Sequence, residues 1–127
     1  MSTLVVRPGD TTVAQGVNDL PLLANTTLVS LIESSCTAAL AEHLGHGETS
    51  VTSDIHLALS STVVIGSEIR SVATCIDALG SILVFNVEVH HGTKLLASAI
   101  VDRRIVDRIS YMARSAAESI AEHPIAN

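Results

Sequence analysis

Glu33 is the only acidic side chain in the first turns of an apolar, small-residue run from Asn25 to Leu44. A helix that is apolar nearly all round is a buried one, so a carboxylate there is either hydrogen-bonded and inert or held at a reacting centre. In the second case it serves as general base on a water molecule, or attacks an electrophilic carbon itself. Asn25, Thr26 and Thr27 open the same run. The first amides of a helix lack intrahelical partners and carry the positive end of its dipole, so they can stabilise a developing oxyanion. The Asn25 side chain can donate a hydrogen bond or orient water, and it serves equally well as a mere helix cap. Thr37, one turn beyond Glu33, is placed to hold the carboxylate.

The remaining chemistry-bearing residues read more plainly. His43 and His46 end the helical run, and His90 and His91 flank a turn, which suits surface positions. Cys36 and Cys75 show neither CxxC nor zinc-ligand spacing, so no metal site is expected and both read as buried free thiols suited to a reducing cytosol. Arg103, Arg104 and Arg108 form a group able to meet an anionic small ligand.

These residues need elements to position them. Leu28, Leu31, Ile32, Leu40 and Leu44 fall at helical spacing, and Gly45-His46-Gly47 supplies a stop. Before the helix, residues 3–15 hold a short strand broken by the turn signal Arg7-Pro8-Gly9-Asp10. After it the period changes. Val51, Ile55, Leu57 and Leu59 fall on one pleat, with Thr52, Asp54 and His56 on the other. A long β-branched stretch runs from Val63 to Ile76. Alternating strands then follow, around Leu83–Val89 and Leu95–Val101, joined through Leu79-Gly80 and His91-Gly92-Thr93. Residues 107–122, with Ile109, Met112, Ala116 and Ile120 in step, predict an amphipathic C-terminal helix.

The 127 residues predict one domain spanning 1–127, of α+β class, with a long antiparallel sheet around one buried helix. Its core must come from Leu, Ile, Val and Ala, because Tyr111 and Phe85 are the only aromatics. A net charge of −6 and no aromatic platform argue against nucleic acid as a partner. No apolar stretch reaches membrane-spanning length and the N-terminus lacks a signal pattern, so a cytoplasmic protein is expected. One sheet covers such a helix on one side only. Burial is completed by curling the sheet or by pairing copies of the chain.

This order of elements resembles the hotdog fold, and the segment from Leu28 to Arg103 is most similar to the fluoroacetyl-CoA thioesterase family. The family pattern has Gly-x-Met-Glu-x-x-Cys on the central helix, then Gly-Glu-x-Ser-x-Gly/Thr, a strand His, spaced glycines, an aromatic and a closing Glu-Arg. The chain offers Ser30-Leu31-Ile32-Glu33-Ser34-Ser35-Cys36, then Gly47-Glu48-Thr49-Ser50-Val51-Thr52, then Gly66, Gly80, Phe85, Gly92 and Asp102-Arg103, without gaps. The resemblance implies an acyl-CoA thioesterase with no cofactor beyond the coenzyme A of its substrate. It implies a homodimer or homotetramer with sites between subunits, and phosphate contacts from Arg103 and Arg104. It also exposes three departures. Asn25 stands where the family has a catalytic Thr, Leu59 where it has a catalytic His, and Val101 where it has a further His. His56, three residues from Leu59, lies on the opposite pleat unless a bulge intervenes. Glu33 would then work with Asn25, Thr26 and Thr27, with Thr37 and Leu59 lining the site. The alternative is a hotdog module that binds acyl-CoA or another small apolar ligand without turnover. A hotdog hydratase fits less well, because no Gly-rich hydration motif or paired His is visible.

Overall fold

Five antiparallel strands curl about one helix, in spatial order β1-β3-β4-β5-β2, in a computed structural model that describes residues 1–122. The strands are β1 (Ser2–Val5), β2 (Glu48–Leu59), β3 (Glu68–Leu79), β4 (Ile82–His91) and β5 (Lys94–Asp107); the helices are α1 (Asn25–Leu40) and α2 (Arg108–Glu122). The hotdog order expected from the sequence is present, with β3, β4 and β5 as a meander. Gly80 (φ 65°) and Gly92 (φ 60°) sit in its tight turns, where the left-handed conformation favours a residue without Cβ.

The core forms where α1 lies across β3, β1 and β4. Leu28, Leu31, Ile32, Cys36 and Leu40 face Ile69, Phe85, Val87, Val89, Leu96 and Val101, all buried. Each such side chain contributes about 1.5–3 kcal/mol on leaving water. Small residues on α1 let the sheet approach: Ser35, 1% exposed, returns its hydroxyl to the Leu31 carbonyl at 3.1 Å.

Several local expectations are corrected. The helix N-cap is Ala24, without a side-chain cap, so Asn25 is the first helical residue rather than the cap. The preceding segment is held by its backbone instead: the Ala24 amide donates to the Asp10 carbonyl at 2.9 Å. The helix ends at Leu40, before the glycines, in a tight turn closed by the His43 amide on the Leu40 carbonyl at 2.8 Å. Residues 63–67 are loop rather than strand, because Val6 pairs there with Ser67 and Gly66 through its backbone. Cys75 is exposed on β3, near the register shift between Cys75 and Asp77, and only Cys36 is buried.

The correction with the largest consequence lies in β2. Its register to β5 runs Thr52↔Arg103 and then Asp54↔Asp102, leaving Ser53 as an extra residue. Strand side chains alternate, so one inserted residue exchanges the two faces beyond it. Ser50 and Thr52 therefore join Ile55, Leu57 and Leu59 on the face turned toward α1. The bulge lies before both His56 and Leu59, and the odd offset between them survives it. His56 points outward, 77% exposed in its side chain, and pairs with Asp54 at 3.0 Å.

β2 is also an edge. It pairs with β5 alone among the described residues, and its twelve residues form the longer of the two sheet edges.

Candidate active site

Glu33 sits on the third turn of α1, facing the start of β2 across a groove of about 860 Å³. Ser34, Thr37, Ala38 and Ala41 form one wall, and Ser50 and Thr52 the other, with Arg103 below. The helix contributes small side chains at these positions, so the groove stays open beside a carboxylate that is 44% exposed.

The floor is a charged hydrogen-bond cluster. Arg103, only 5% exposed, donates to the Ser50 hydroxyl from Nε at 3.2 Å and from Nη2 at 2.7 Å, and to the Ser50 carbonyl at 3.0 Å. It also donates to Thr52 Oγ1 at 2.6 Å and to Thr37 Oγ1 at 3.3 Å. Thr52 passes its own proton on to Glu33 Oε2 at 3.3 Å, while Arg103 Nη1 stands 3.8 Å from the same oxygen. A buried cation is tolerable only with its donors satisfied and a counter-charge nearby, and both conditions are met here. The result is a carboxylate steered through Thr52 while one face remains open to the groove.

Thr37 makes no hydrogen bond to Glu33. It accepts from Arg103, and Thr52 is the hydroxyl that meets the carboxylate. Ser50 and Thr52 escaped the sequence reading because strict alternation put them on the outer face. One signal was available: Ser53 is a polar residue at a position where that alternation demands an apolar one. Arg103 and Arg104 part company on β5, Arg103 buried toward α1 and Arg104 exposed on the opposite face.

One turn on from Glu33, burial, helped by the Glu33 charge, pushes the Cys36 thiol up to about 11 against a downward pull from Arg103. It is an inert core thiol.

The other expected site residues gather at the opposite end of α1. Asn25 and Leu59 line a cavity of about 290 Å³ with Leu23, Leu28 and Leu96 and with Ser60, Ser61 and Thr62. Leu59 is 53% exposed although its neighbours Leu23, Leu28 and Leu96 are buried. Thr26 and Thr27 turn aside toward Gln15, whose amide donates to Thr27 Oγ1 at 3.1 Å and whose oxygen accepts from Thr26. The backbone amides of Asn25, Thr26 and Thr27 donate to no acceptor among the described residues; the first intrahelical bond is Leu28 to Ala24 at 3.1 Å. Eight residues of α-helix separate Asn25 from Glu33, about 12 Å. Within one chain the two do not reach a common atom.

No three His, Cys, Asp or Glu side chains stand close enough to hold a metal ion among the described residues, and no helix there is long and apolar enough to cross a membrane.

Comparison with known proteins bears on this geometry. The model of a family described as fluoroacetyl-CoA-specific thioesterase matches residues 6–109. Among curated proteins none matches the sequence. A solved fluoroacetyl-CoA thioesterase in complex with fluoroacetate superposes with a TM-score of 0.85 at 22% identity, over 92% of each chain. A Thermus thermophilus protein described as a thioesterase superfamily member gives 0.89 at 17% identity, over 98% of this chain and 92% of its own. A hot-dog-like protein from Thermanaerovibrio acidaminovorans gives 0.83 at 16%, over 99% and 90%. These structures share the fold.

Proposed function

The chain belongs to the fluoroacetyl-CoA-specific thioesterase family, and from that membership we propose that it hydrolyses a small aliphatic acyl-CoA with Glu33 as the base. The observation that carries the proposal is the carboxylate at the open groove, steered by Thr52 and balanced by Arg103. Glu33 takes a proton from water as its oxygen adds to the thioester carbonyl carbon. The tetrahedral oxyanion is met by free amides at a helix N-terminus, those of Asn25, Thr26 and Thr27. Collapse breaks the carbon–sulfur bond, and the coenzyme A thiolate takes the proton from Glu33, leaving the free acid.

About 12 Å of helix separates base from oxyanion donors in one chain, so the complete site requires two copies. The open edge of β2 supports that arrangement. Two-fold antiparallel pairing along β2 carries the Leu59 end of one copy to the Glu48 end of the other, next to Ser50 and Thr52. The cavity at Leu59, Leu28 and Asn25 of one subunit then adjoins the Glu33 groove of the next. Leu23, Leu28, Leu59 and Leu96 suit an aliphatic acyl group there. Leu59 in place of the family His removes a proton carrier and leaves Glu33 as the sole base. Fluoroacetyl selectivity is therefore not carried over.

That same leucine favours a second reading, in which the protein binds acyl-CoA without turnover. One experiment separates them: thiol release from short, medium, long and aromatic acyl-CoAs by wild type and Glu33→Ala, beside thermal shifts with the same compounds. Release that vanishes in Glu33→Ala supports hydrolysis. Stabilisation with no release across the series selects binding alone.

A further inference from the structure

The two cavities along α1 differ in how their hydroxyl groups are spent. Those on the floor of the Glu33 groove are all taken: Ser50 and Thr37 accept from Arg103, and Thr52 accepts from Arg103 and donates to Glu33. The cavity beside Asn25 is the opposite case. Ser60, Ser61 and Thr62 line it in one run, joined by Asn25. Neither their three hydroxyls nor the Asn25 carboxamide makes a hydrogen bond among the described residues. What is bonded there is backbone. The Ser60 and Ser61 amides both donate to the Leu96 carbonyl, at 2.8 and 3.1 Å, and the Thr62 carbonyl accepts from Lys94 Nζ at 3.3 Å. The run is held in place by its main chain while its side chains stay uncommitted.

The rest of the lining is apolar. Leu23, Leu28 and Leu96 are buried, and Leu59 is half-exposed at the end of β2. These leucines come from four separate segments, whereas the three hydroxyls come from a single stretch of chain and so gather on one side.

We infer that the acyl group received here is a short hydroxyacyl chain, its hydrocarbon on the leucines and its hydroxyl on the Ser60–Thr62 run. The inference rests on the acyl-CoA reading above and narrows the substrate class of the same site. A hydroxyl both donates and accepts, as Ser, Thr and Asn side chains do, so it finds a partner in either direction. A plain alkyl chain strips water from these groups and returns no hydrogen bond. Groups left unpaired in that way are what lets a site built for a hydroxyl reject the analogue without one. A carboxylate is the wrong partner: the lining holds no charged side chain, and Lys94 sends its ammonium to the Thr62 carbonyl without lining the cavity. Asn25 carries one polar group on the residue whose amide is a proposed oxyanion donor. The substrate hydroxyl therefore falls within a few carbons of the thioester, as in a 3-hydroxyacyl group.

The test measures kcat/KM for butyryl-CoA, succinyl-CoA and the two enantiomers of 3-hydroxybutyryl-CoA. One enantiomer should exceed butyryl-CoA about tenfold, the worth of roughly one hydrogen bond. The other should gain less, because turning its hydroxyl to the polar run takes its methyl off the leucines. Ser60→Ala/Ser61→Ala/Thr62→Val should bring the favoured ratio to about one, while Thr62→Ser keeps it. Both substrates are read on the same preparation, so a folding defect cancels from the ratio. Thermal shifts give a readout without turnover: the favoured enantiomer should stabilise wild type more than butyryl-CoA does, and the triple variant should lose the difference. Butyryl-CoA turned over as well as both enantiomers, or a hydroxyl preference that survives the triple variant, would overturn the hydroxyacyl assignment and leave hydrolysis standing. A preference for succinyl-CoA would overturn it in favour of a charge contact from Lys94. Absence of any thiol release, with the enantiomer-specific shift present and lost in the triple variant, would overturn the hydrolase reading and leave the assignment standing.

Discussion

The two ends of α1 differ in every respect that matters for chemistry. At Glu33 the helix presents small residues to a groove floored by a buried arginine and three hydroxyl side chains, with polar hydrogens assigned from Arg103 through Thr52 to the carboxylate. At Asn25 it presents Leu28 to a cavity that Leu23, Leu59 and Leu96 share with the uncharged side chains of Ser60, Ser61 and Thr62, and its first three amides have no acceptor among the described residues. One end is organised around a charge already present. The other offers free amide donors beside leucine side chains. The helix holds them about 12 Å apart, which is why the proposed site draws its two ends from two copies.

The sharpest way to break this contrast is Glu33→Gln, which keeps shape and removes the base. Thiol release should fall by about 10²–10⁴-fold in kcat, the range of a lost general base. Stability should fall by about 1–2 kcal/mol, because buried Arg103 loses its counter-charge while keeping its hydroxyl and carbonyl acceptors, and the half-exposed carboxylate was partly solvent-screened. A folded Glu33→Gln protein with wild-type turnover would remove Glu33 from the mechanism.

Arg103→Met tests the reverse division of labour. The substitution leaves Ser50, Thr37 and Thr52 without their donor in a buried setting, and should cost about 2 kcal/mol, read as a lower urea midpoint at unchanged slope. Activity should fall as well, since Thr52 then orients Glu33 alone. If stability is unaffected, the cluster is not the floor of the site.

The same contrast explains what the sequence made legible. Helical spacing of Leu28, Leu31, Ile32 and Leu40, and alternation along the later strands, carry enough information to place the helix and the meander, because both periods are set by burial on one face. Glu33 stood out because burial makes a lone carboxylate costly. The hydroxyls of the cluster did not, because a bulge puts Thr52, which meets Glu33, and Ser50, which meets Arg103, on the inner face, and a one-residue insertion leaves the apolar pattern of Val51, Ile55 and Leu57 apparently in phase. The separation of Asn25 from Glu33 follows from helix rise alone. The N-cap position itself gave no signal: Ala24 has no side chain that can cap, and the chain entering the helix is fixed by its backbone bond to Asp10.

Leu59→Asn addresses the apolar end. An aliphatic acyl group gains about 0.8 kcal/mol for each methylene it buries, so two methylenes are worth about tenfold. The preference of wild type for butyryl-CoA over acetyl-CoA in kcat/KM should therefore drop by about tenfold in the variant. An unchanged preference would place the acyl chain elsewhere.

The smallest effect concerns Cys36, which reports the charge balance at the polar end without taking part in it. Burial raises its thiol from the ordinary 9.0 to about 11, with Arg103 pulling down and Glu33 pushing up. A folded-state pKa above the unfolded one means the native chain holds its proton longer. The stability this contributes is fully present below pH 9 and is lost as pH rises through 11. Wild type should therefore lose unfolding free energy between pH 9 and 11 more steeply than Cys36→Ala. In a Cys75→Ser background, which removes the exposed thiol, ultraviolet titration of the thiolate should shift downward with Glu33→Gln and upward with Arg103→Met. Shifts of opposite sign follow only if both charges face Cys36 across the floor of the groove. A folded protein titrating near 9 in all three backgrounds would mean that water reaches Cys36 and screens it from both, and the groove floor would then be wet rather than closed.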